Sequence, residues 1–162
     1  MPIAVQAARH LRSELERVIV VVRSEDLLPV FKQERCEAVL CANAAEGMGA
    51  SLACAVRAAG RSDGYIVALA DMPFIRRTSI AAVRQALEKG AALAAPYFRA
   101  RRGHPVGISG AFYDQLIALA GDEGAKQILA ANASRLVKIP IGDPGVIRDI
   151  DTPADLLPPI RT

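Results

Sequence analysis

The chain has 162 residues, 52% apolar and 23% charged, and carries a net charge of +3 at pH 7. That length fits one domain with one substantial core, and the balance of residues excludes long disorder. Basic residues are scattered and aromatics make up only 4% of the chain, which excludes a nucleic-acid stripe but suits an anionic small-molecule substrate.

Ile3, Ala7, Leu11 and Leu15 recur at four-residue spacing and predict a helix over residues 3–16 with one buried stripe. The same opening stretch, MPIAVQAARHLRSELER, has neither the apolar segment nor the cleavage site of a signal peptide, and no later run reaches the length of a membrane span. A cytoplasmic protein is therefore expected. VIVVV at 18–22 reads as a strand covered on both faces. A polar helix at 25–34 leads to a second strand, EAVLC at 37–41, then a loop at 43–50 and a helix, SLACAVRAA at 51–59, closed by Gly60. YIVALA at 65–70 is the third strand. Thr78 or Ser79 is expected to cap a helix ending near Lys89, with Gly90 in its usual C-terminal place. ALAAP at 92–96 and the segment around Gly107 and Ile108 are further strands, followed by helices at 111–119 and 124–131 and the strand RLVKI at 135–139. Cys36, Cys41 and Cys54 are odd in number, lack metal-ligand spacing and are expected to be buried thiols in a reducing compartment. No repeat, linker or low-complexity segment interrupts the pattern, so residues 1–162 are expected to form one domain. Such alternation predicts a mainly parallel sheet with helices on both faces. Ligands of these sheets lie beyond the carboxyl ends of the strands, and Asp71 is expected at the tip of one.

Four stretches carry candidate chemistry. In DMP at 71–73, Asp71 is either a cap for the following turn or a ligand for Mg²⁺, which takes one or two carboxylates and completes its shell with phosphate oxygens and water. Pro73 would stiffen the turn. In NAAEGMGASL at 43–52, Gly47 and Gly49 precede a helix expected to begin near Ser51, where backbone N–H groups can face an anion or a nucleobase edge, or else Ser51 merely caps the helix. In RRGHP at 101–105, Arg101, Arg102 and His104 either receive a phosphate or pterin-type anion or form a solvated basic turn. In RDIDTPADL at 148–156, Asp149 and Asp151 share one face of an extended segment before Thr152-Pro153 opens a helix, and one of them is a candidate cap. Carboxylates gathered near Asp71 repel unless a cation sits among them. GDEGAK at 121–126 reads as a turn into a helix, with Asp122 as a candidate cap.

Taken in this order, NAAEGMGASL, YIVALADMPF, RRGHP, GDEGAK and DIDTPADL resemble the molybdenum cofactor cytidylyltransferases and guanylyltransferases, the MobA-like branch of the nucleotidyltransferases. The GHP and DIDTP forms look more like the cytidylyl-transferring branch. The resemblance implies a three-layer Rossmann-like α/β fold of the nucleotide-diphospho-sugar transferase type. It implies transfer of CMP, or GMP, from CTP or GTP to the terminal phosphate of molybdopterin, with release of pyrophosphate. On that footing Asp71 is the catalytic metal site, with Mg²⁺ held by Asp71 and Asp151. Asn43, Gly47, Gly49 and Ser51 approach the nucleotide, and Arg102, His104, Asp149 and Asp151 approach molybdopterin. A recipient molybdoenzyme of the xanthine dehydrogenase type is the implied partner.

Two features depart from the family pattern. Members begin with a strand and a glycine-rich signature, LAAG-x-S-x-RMG followed by lysine, that wraps the triphosphate. This chain opens with PIAVQAARHL, which resembles the helix after that signature, so the first strand and its loop are expected to be missing. Lys126 also stands where arginine is commoner after GA, keeping the charge without the bidentate geometry. The missing strand is a central one, so either its neighbours close the gap or another chain covers it by dimerising or swapping. An alternative follows from the same departure: a catalytically silent molybdopterin carrier or molybdoenzyme chaperone. A nucleotide-sugar glycosyltransferase using DID as its metal motif fits less well, because DMP and GHP accompany it.

Overall fold

The structure, a computed structural model, describes residues 2–156. In chain order the elements are α1 (Ile3–Glu14), β1 (Ile19–Val22), α2 (Leu28–Gln33), β2 (Glu37–Leu40), α3 (Met48–Ala59), β3 (Gly64–Val67) and α4 (Arg77–Glu88). They continue with β4 (Leu93–Phe98), β5 (Arg101–Arg102), β6 (Val106–Ser109), α5 (Tyr113–Ile117), α6 (Ala125–Ala131) and β7 (Leu136–Pro140). Helix α3 starts three residues before the expected position. Helix α4 begins without a side-chain cap, and its Ser79 bonds elsewhere.

The strands form two sheets. β1 and β2 pair in parallel through the α2 crossover. The larger sheet runs β3–β6–β4–β7, with β5 continuing the β6 edge of β4. β4 and β7 are parallel, but β6 is antiparallel to both its neighbours, so the sheet is mixed where alternation predicts a mainly parallel one. The reason lies in the link after β4. Arg99 and Ala100 take φ of 48° and 62° between the paired residues Phe98 and Arg101. That two-residue loop has both central residues left-handed, as in a hairpin turn whose twist matches the strands. A link this short returns the chain antiparallel, because a parallel return needs a crossover of a dozen residues or more.

Helices cover both faces. Val56 of α3 and Leu116 of α5 join Tyr65, Leu93, Ile108 and Leu129 in the main core on one face. On the other, α4 lies against β4 and β6 and carries α1 on its back. Val5, Val18, Val22 and Phe31 make a second cluster between α1, β1 and α2. A third, built from Met72, Ile75, Ile80 and Val146, packs under the turn that carries Asp71.

Two expectations are corrected. β3 ends at Val67 rather than residue 70, so Asp71 stands in a turn beyond the strand, where Met72 N–H donates to the Leu69 carbonyl at 3.3 Å. And Cys41 and Cys54 are joined as a disulfide, with Cα atoms 6.5 Å apart, leaving only Cys36 as a buried free thiol. Chain position hid this pairing: Cys41 follows β2 and Cys54 lies midway along α3, and only their packing brings them together. Among the described residues β1 and β3 have no partner on their facing edges, so their neighbours do not close the gap between the two sheets. A slot of about 740 Å³ lies there. No helix among the described residues is long and apolar enough to cross a membrane.

Candidate functional site

The DMPF turn places its residues by burial. Met72 and Pro73 go inward, with Met72 4% exposed on the third core cluster. Asp71 remains half-buried at the surface. This apolar anchoring explains why the acid follows so hydrophobic a stretch.

A second segment, residues 143–151, is laid across that turn. Asp143, only 3% exposed, accepts from Ser79 Oγ at 2.7 Å, from the Arg76 N–H at 2.8 Å and from the Gly145 N–H at 2.9 Å. Gly145 lies so close to the Phe74 carbonyl that a Cβ there would collide with it. Further along, the Ile150 N–H donates to the Asp71 carbonyl at 2.8 Å. These ties bring Asp71, Asp149 and Asp151 together, with one carboxylate oxygen from each within 4.8 Å of the others. Asp149 and Asp151 are exposed, whereas Asp71 Oδ1 is shielded from solvent and has no hydrogen-bond partner among the described residues. Burial first, then the charges of Asp149 and Asp151, push the Asp71 pKa above its ordinary value. A shielded, unbonded carboxylate oxygen between two like charges is what a divalent cation would satisfy, and hard oxygen donors suit Mg²⁺ or Mn²⁺.

The cap of this segment is Asp155, not Asp149 or Asp151. Its Oδ2 accepts from the Asp151 N–H, the Thr152 N–H and the Thr152 hydroxyl at 2.8–3.1 Å, which holds its carboxyl below the usual range. Arg148 donates to the Asp155 carbonyl at 2.6 Å and lies over the Phe74 ring at 4.3 Å. Asp149 and Asp151 are thereby left with their carboxylates uncommitted to the loop.

The RRGHP hairpin joins the same segment. The His104 N–H donates to the Val146 carbonyl at 2.8 Å, and the Gly103 N–H to the Pro96 carbonyl at 2.7 Å. Gly103 faces Val146 so closely that a Cβ would lie 2.7 Å from the Val146 Cβ. Arg101 and Arg102 are exposed on β5, and burial, then the charge of Arg102, lowers the pKa of His104.

Asn43, Gly47, Gly49 and Ser51 lie along the loop and first turn of α3, and the two glycines pack against the GDEG turn. The Gly49 and Ala50 N–H groups at the start of α3 both donate to the Gly121 carbonyl, at 2.8 and 3.2 Å. A Cβ on Gly49 would lie 2.5 Å from the Glu123 carbonyl oxygen, and one on Gly47 would strike Asp122 and Gly121. The Ser51 hydroxyl reaches the Ala44 carbonyl at 3.5 Å. Both glycines thus have a packing role, and two of the first amides of α3 already have an acceptor. Lys126 is exposed at the start of α6. Sequence reasoning passed over Asp143, whose only signal is its place before proline in GDPG, a common turn-forming context.

Helices on both faces of a mixed sheet, with carboxylates gathered beyond a strand end, define a Rossmann-like nucleotidyltransferase fold. The sequence profile of the MobA-like NTP transferase domain matches residues 1–136, and the chain belongs to that family. Among solved structures, Rv0371c from Mycobacterium tuberculosis H37Rv is similar with a TM-score of 0.74 at 18% identity, over 94% of this chain and 80% of that one. The same protein complexed with manganese gives 0.72 at 17%, over 94% and 82%. CMP:2-keto-3-deoxy-manno-octonic acid synthetase complexed with CTP gives 0.70 at 14%, over 94% and 83%. Molybdopterin-guanine dinucleotide biosynthesis protein A from Archaeoglobus fulgidus gives 0.55 at 19%, over 85% and 73%. At these identities the likeness is one of fold. No curated protein matches the chain.

Proposed function

We propose that this chain serves divalent-metal-dependent nucleotidyl transfer in molybdenum cofactor maturation, moving CMP, or GMP, from a nucleoside triphosphate to the terminal phosphate of molybdopterin. The observation that carries the reading is the Asp71–Asp149–Asp151 cluster, with its shielded and unbonded Asp71 oxygen. In the reaction a phosphate oxygen of molybdopterin attacks the α-phosphorus. The new P–O bond forms as the bond to the bridging oxygen breaks, and pyrophosphate leaves. Such transfer needs in-line positioning and charge neutralisation rather than a protein nucleophile.

Asp71 and Asp151 hold the cation on this reading, Mg²⁺ by the sequence resemblance, with Asp149 alongside. When bound, the cation supplies neutralisation of the phosphates and a template for their alignment. Asp143 and the Ile150 N–H position the carboxylates. Arg102 and His104 face the acceptor phosphate and pterin, with His104 held neutral as a hydrogen-bonding group. Asn43 offers its carboxamide to the nucleotide, supported by the packing of Gly47, Gly49 and Ser51. The relative complexed with CTP and the molybdopterin-guanine dinucleotide protein support the substrate classes.

Calorimetric titration of the chain with CTP and GTP, with and without Mg²⁺ or Mn²⁺, tests this reading. Metal-dependent binding that Asp71→Ala abolishes is expected. A folded sample that binds neither nucleotide but does bind molybdopterin would sink the transfer reading in favour of a carrier.

A further inference from the structure

Cys41 and Cys54 bracket the segment that carries Asn43, Gly47, Gly49 and Ser51. Cys41 follows β2, Cys54 lies in α3, and the bond between them closes a loop across a sequence separation of 13. Little else holds residues 42–46. Among the described residues their hydrogen bonds stay within 41–51. The Ala44 N–H donates to the Cys41 carbonyl at 3.2 Å, the Glu46 N–H to the Asn43 carbonyl at 3.0 Å and the Gly47 N–H to the Ala44 carbonyl at 3.4 Å. At the entry to the loop the Cys41 N–H reaches the Val22 carbonyl only at 3.4 Å, longer than such bonds usually are. At its exit α3 is fixed by the Gly49 and Ala50 N–H groups on the Gly121 carbonyl. Apolar packing adds one anchor within the loop, the buried Ala44. The disulfide is therefore the strongest tie between the entry of the loop and the helix at its exit.

We infer that the Cys41–Cys54 bond is a redox-sensitive strap: closed, it orders residues 42–47 against α3, and opened by a dithiol it releases them and weakens nucleotide binding there. The effect on binding rests on the nucleotide reading of this loop given under Proposed function; the effect on order does not. A ligand that meets an ordered loop need not order it, so opening the strap lowers affinity without removing any ligand contact. The step is a thiol–disulfide exchange. A thiolate of the dithiol attacks Sγ of Cys54, which is half-buried where Cys41 is buried. Sγ of Cys41 leaves with the bonding electrons and takes up a proton. The second sulfur of the dithiol then attacks the first, which frees Cys54 as a thiol and leaves the dithiol as a disulfide. Cys36 does not compete for either partner. It stands at the opposite end of β2, about 16 Å from Cys41 at a strand rise of about 3.3 Å per residue. It is also buried, and burial pushes its thiol pKa up, which keeps it from forming the reactive thiolate.

The test compares the air-oxidised chain with the same chain in dithiothreitol, by thiol count, by hydrogen exchange at single amides and by calorimetric titration with CTP and GTP in Mg²⁺. Unfolded in denaturant, the oxidised chain should show one reactive thiol, Cys36, and the reduced chain all three cysteines. After reduction the Ala44, Glu46 and Gly47 amides should exchange about tenfold faster or more, while amides of other turns, Gly90 and Arg135, keep their rates. The Kd of the bound nucleotide should rise about fivefold or more, and removal of the dithiol in air should restore both. Cys54→Ser should match the reduced chain and ignore the reductant; if it does not fold, Cys41→Ala takes its place. Equal exchange at the three loop amides in the two states overturns the inference. So do three reactive thiols in the oxidised chain, a chain that unfolds on reduction, or a Kd that stays constant while the loop loosens. Faster loop exchange in a chain that binds neither nucleotide in either state overturns the nucleotide reading instead and supports the strap.

Discussion

Replacing Asp71 by asparagine removes one of three negative charges gathered in one cluster. The ligand oxygens lie within 4.8 Å of one another. At that distance two unit charges repel by about 1 kcal/mol in a water-like medium and about 3 kcal/mol in a near-surface protein medium. Asp149 and Asp151 are exposed, so the water-like figure applies, and relief of two such pairs comes to about 1–2 kcal/mol. The sign follows from the direction of the pKa. Burial and the two neighbouring carboxylates raise Asp71 above its ordinary 3.8, so the folded state holds this proton more tightly than the unfolded chain does. Ionised Asp71 therefore subtracts from stability at pH values above its raised pKa and subtracts nothing below 3.8. In metal-free buffer at pH 7, Asp71→Asn should raise Tm by about 3–6 °C, and the gain should fade as the pH is lowered into the acid range. On the proposed function, adding Mn²⁺ or Mg²⁺ should reverse the order, because a cation held by the cluster would stabilise the parent chain and would lack the Asp71 carboxylate in the variant. Thermal melts in chelator and in millimolar metal, at pH 7 and pH 4, measure all four cases. A variant less stable than the parent in chelator, or equally stabilised by metal, would refute the reasoning.

Asp143→Ala leaves the Ser79 hydroxyl and the Arg76 and Gly145 N–H groups without their shared acceptor. It should cost about 3 kcal/mol in urea unfolding and weaken metal binding, since it frees the segment that carries Asp149 and Asp151. Denaturation with an unchanged midpoint would show that this carboxylate holds nothing. His104, its pKa lowered by burial and Arg102, should titrate below 6.5 by NMR. The unfolded chain then takes up this proton first, so stability falls as pH drops through 6.5, and His104→Gln should flatten that fall. The third change is chemical: reduction of Cys41–Cys54, separated by 13 residues, should cost about 3 kcal/mol. A Cys54→Ser variant should match the reduced parent and be insensitive to reductant, and equal Tm values for oxidised and reduced parent would count against the bond.

Part of the candidate site is legible in local stretches of the sequence. Asp71, Asp149 and Asp151 were legible because a carboxylate after an apolar stretch and an alternating acidic pair are local patterns. Their convergence was not, because it depends on the Ile150 N–H reaching the Asp71 carbonyl across almost half the chain. The sequence of Gly47 and Gly49 suggests an anion-binding loop but carries no sign of their close approach to residues 120–123, which is long-range. Asp143 escaped notice for the same cause: nothing beside it in the chain reveals that Ser79 and Arg76 will bury it. Asp155 was likewise obscured by the two acids before it.

Local residues suffice for the periodic elements, since burial on one face imposes a spacing that composition cannot hide, and for the family, through motifs whose order is specific. Tertiary structure alone decided the antiparallel place of β6, because two left-handed residues without glycine, Arg99 and Ala100, turn the chain back at once. It also decided the partner of Cys41, the packing role of the glycines and the slot between β1 and β3. The cysteine pairing, the glycine packing and the slot depend on which separate segments come within a few ångströms, a property of packing that no local stretch of residues carries.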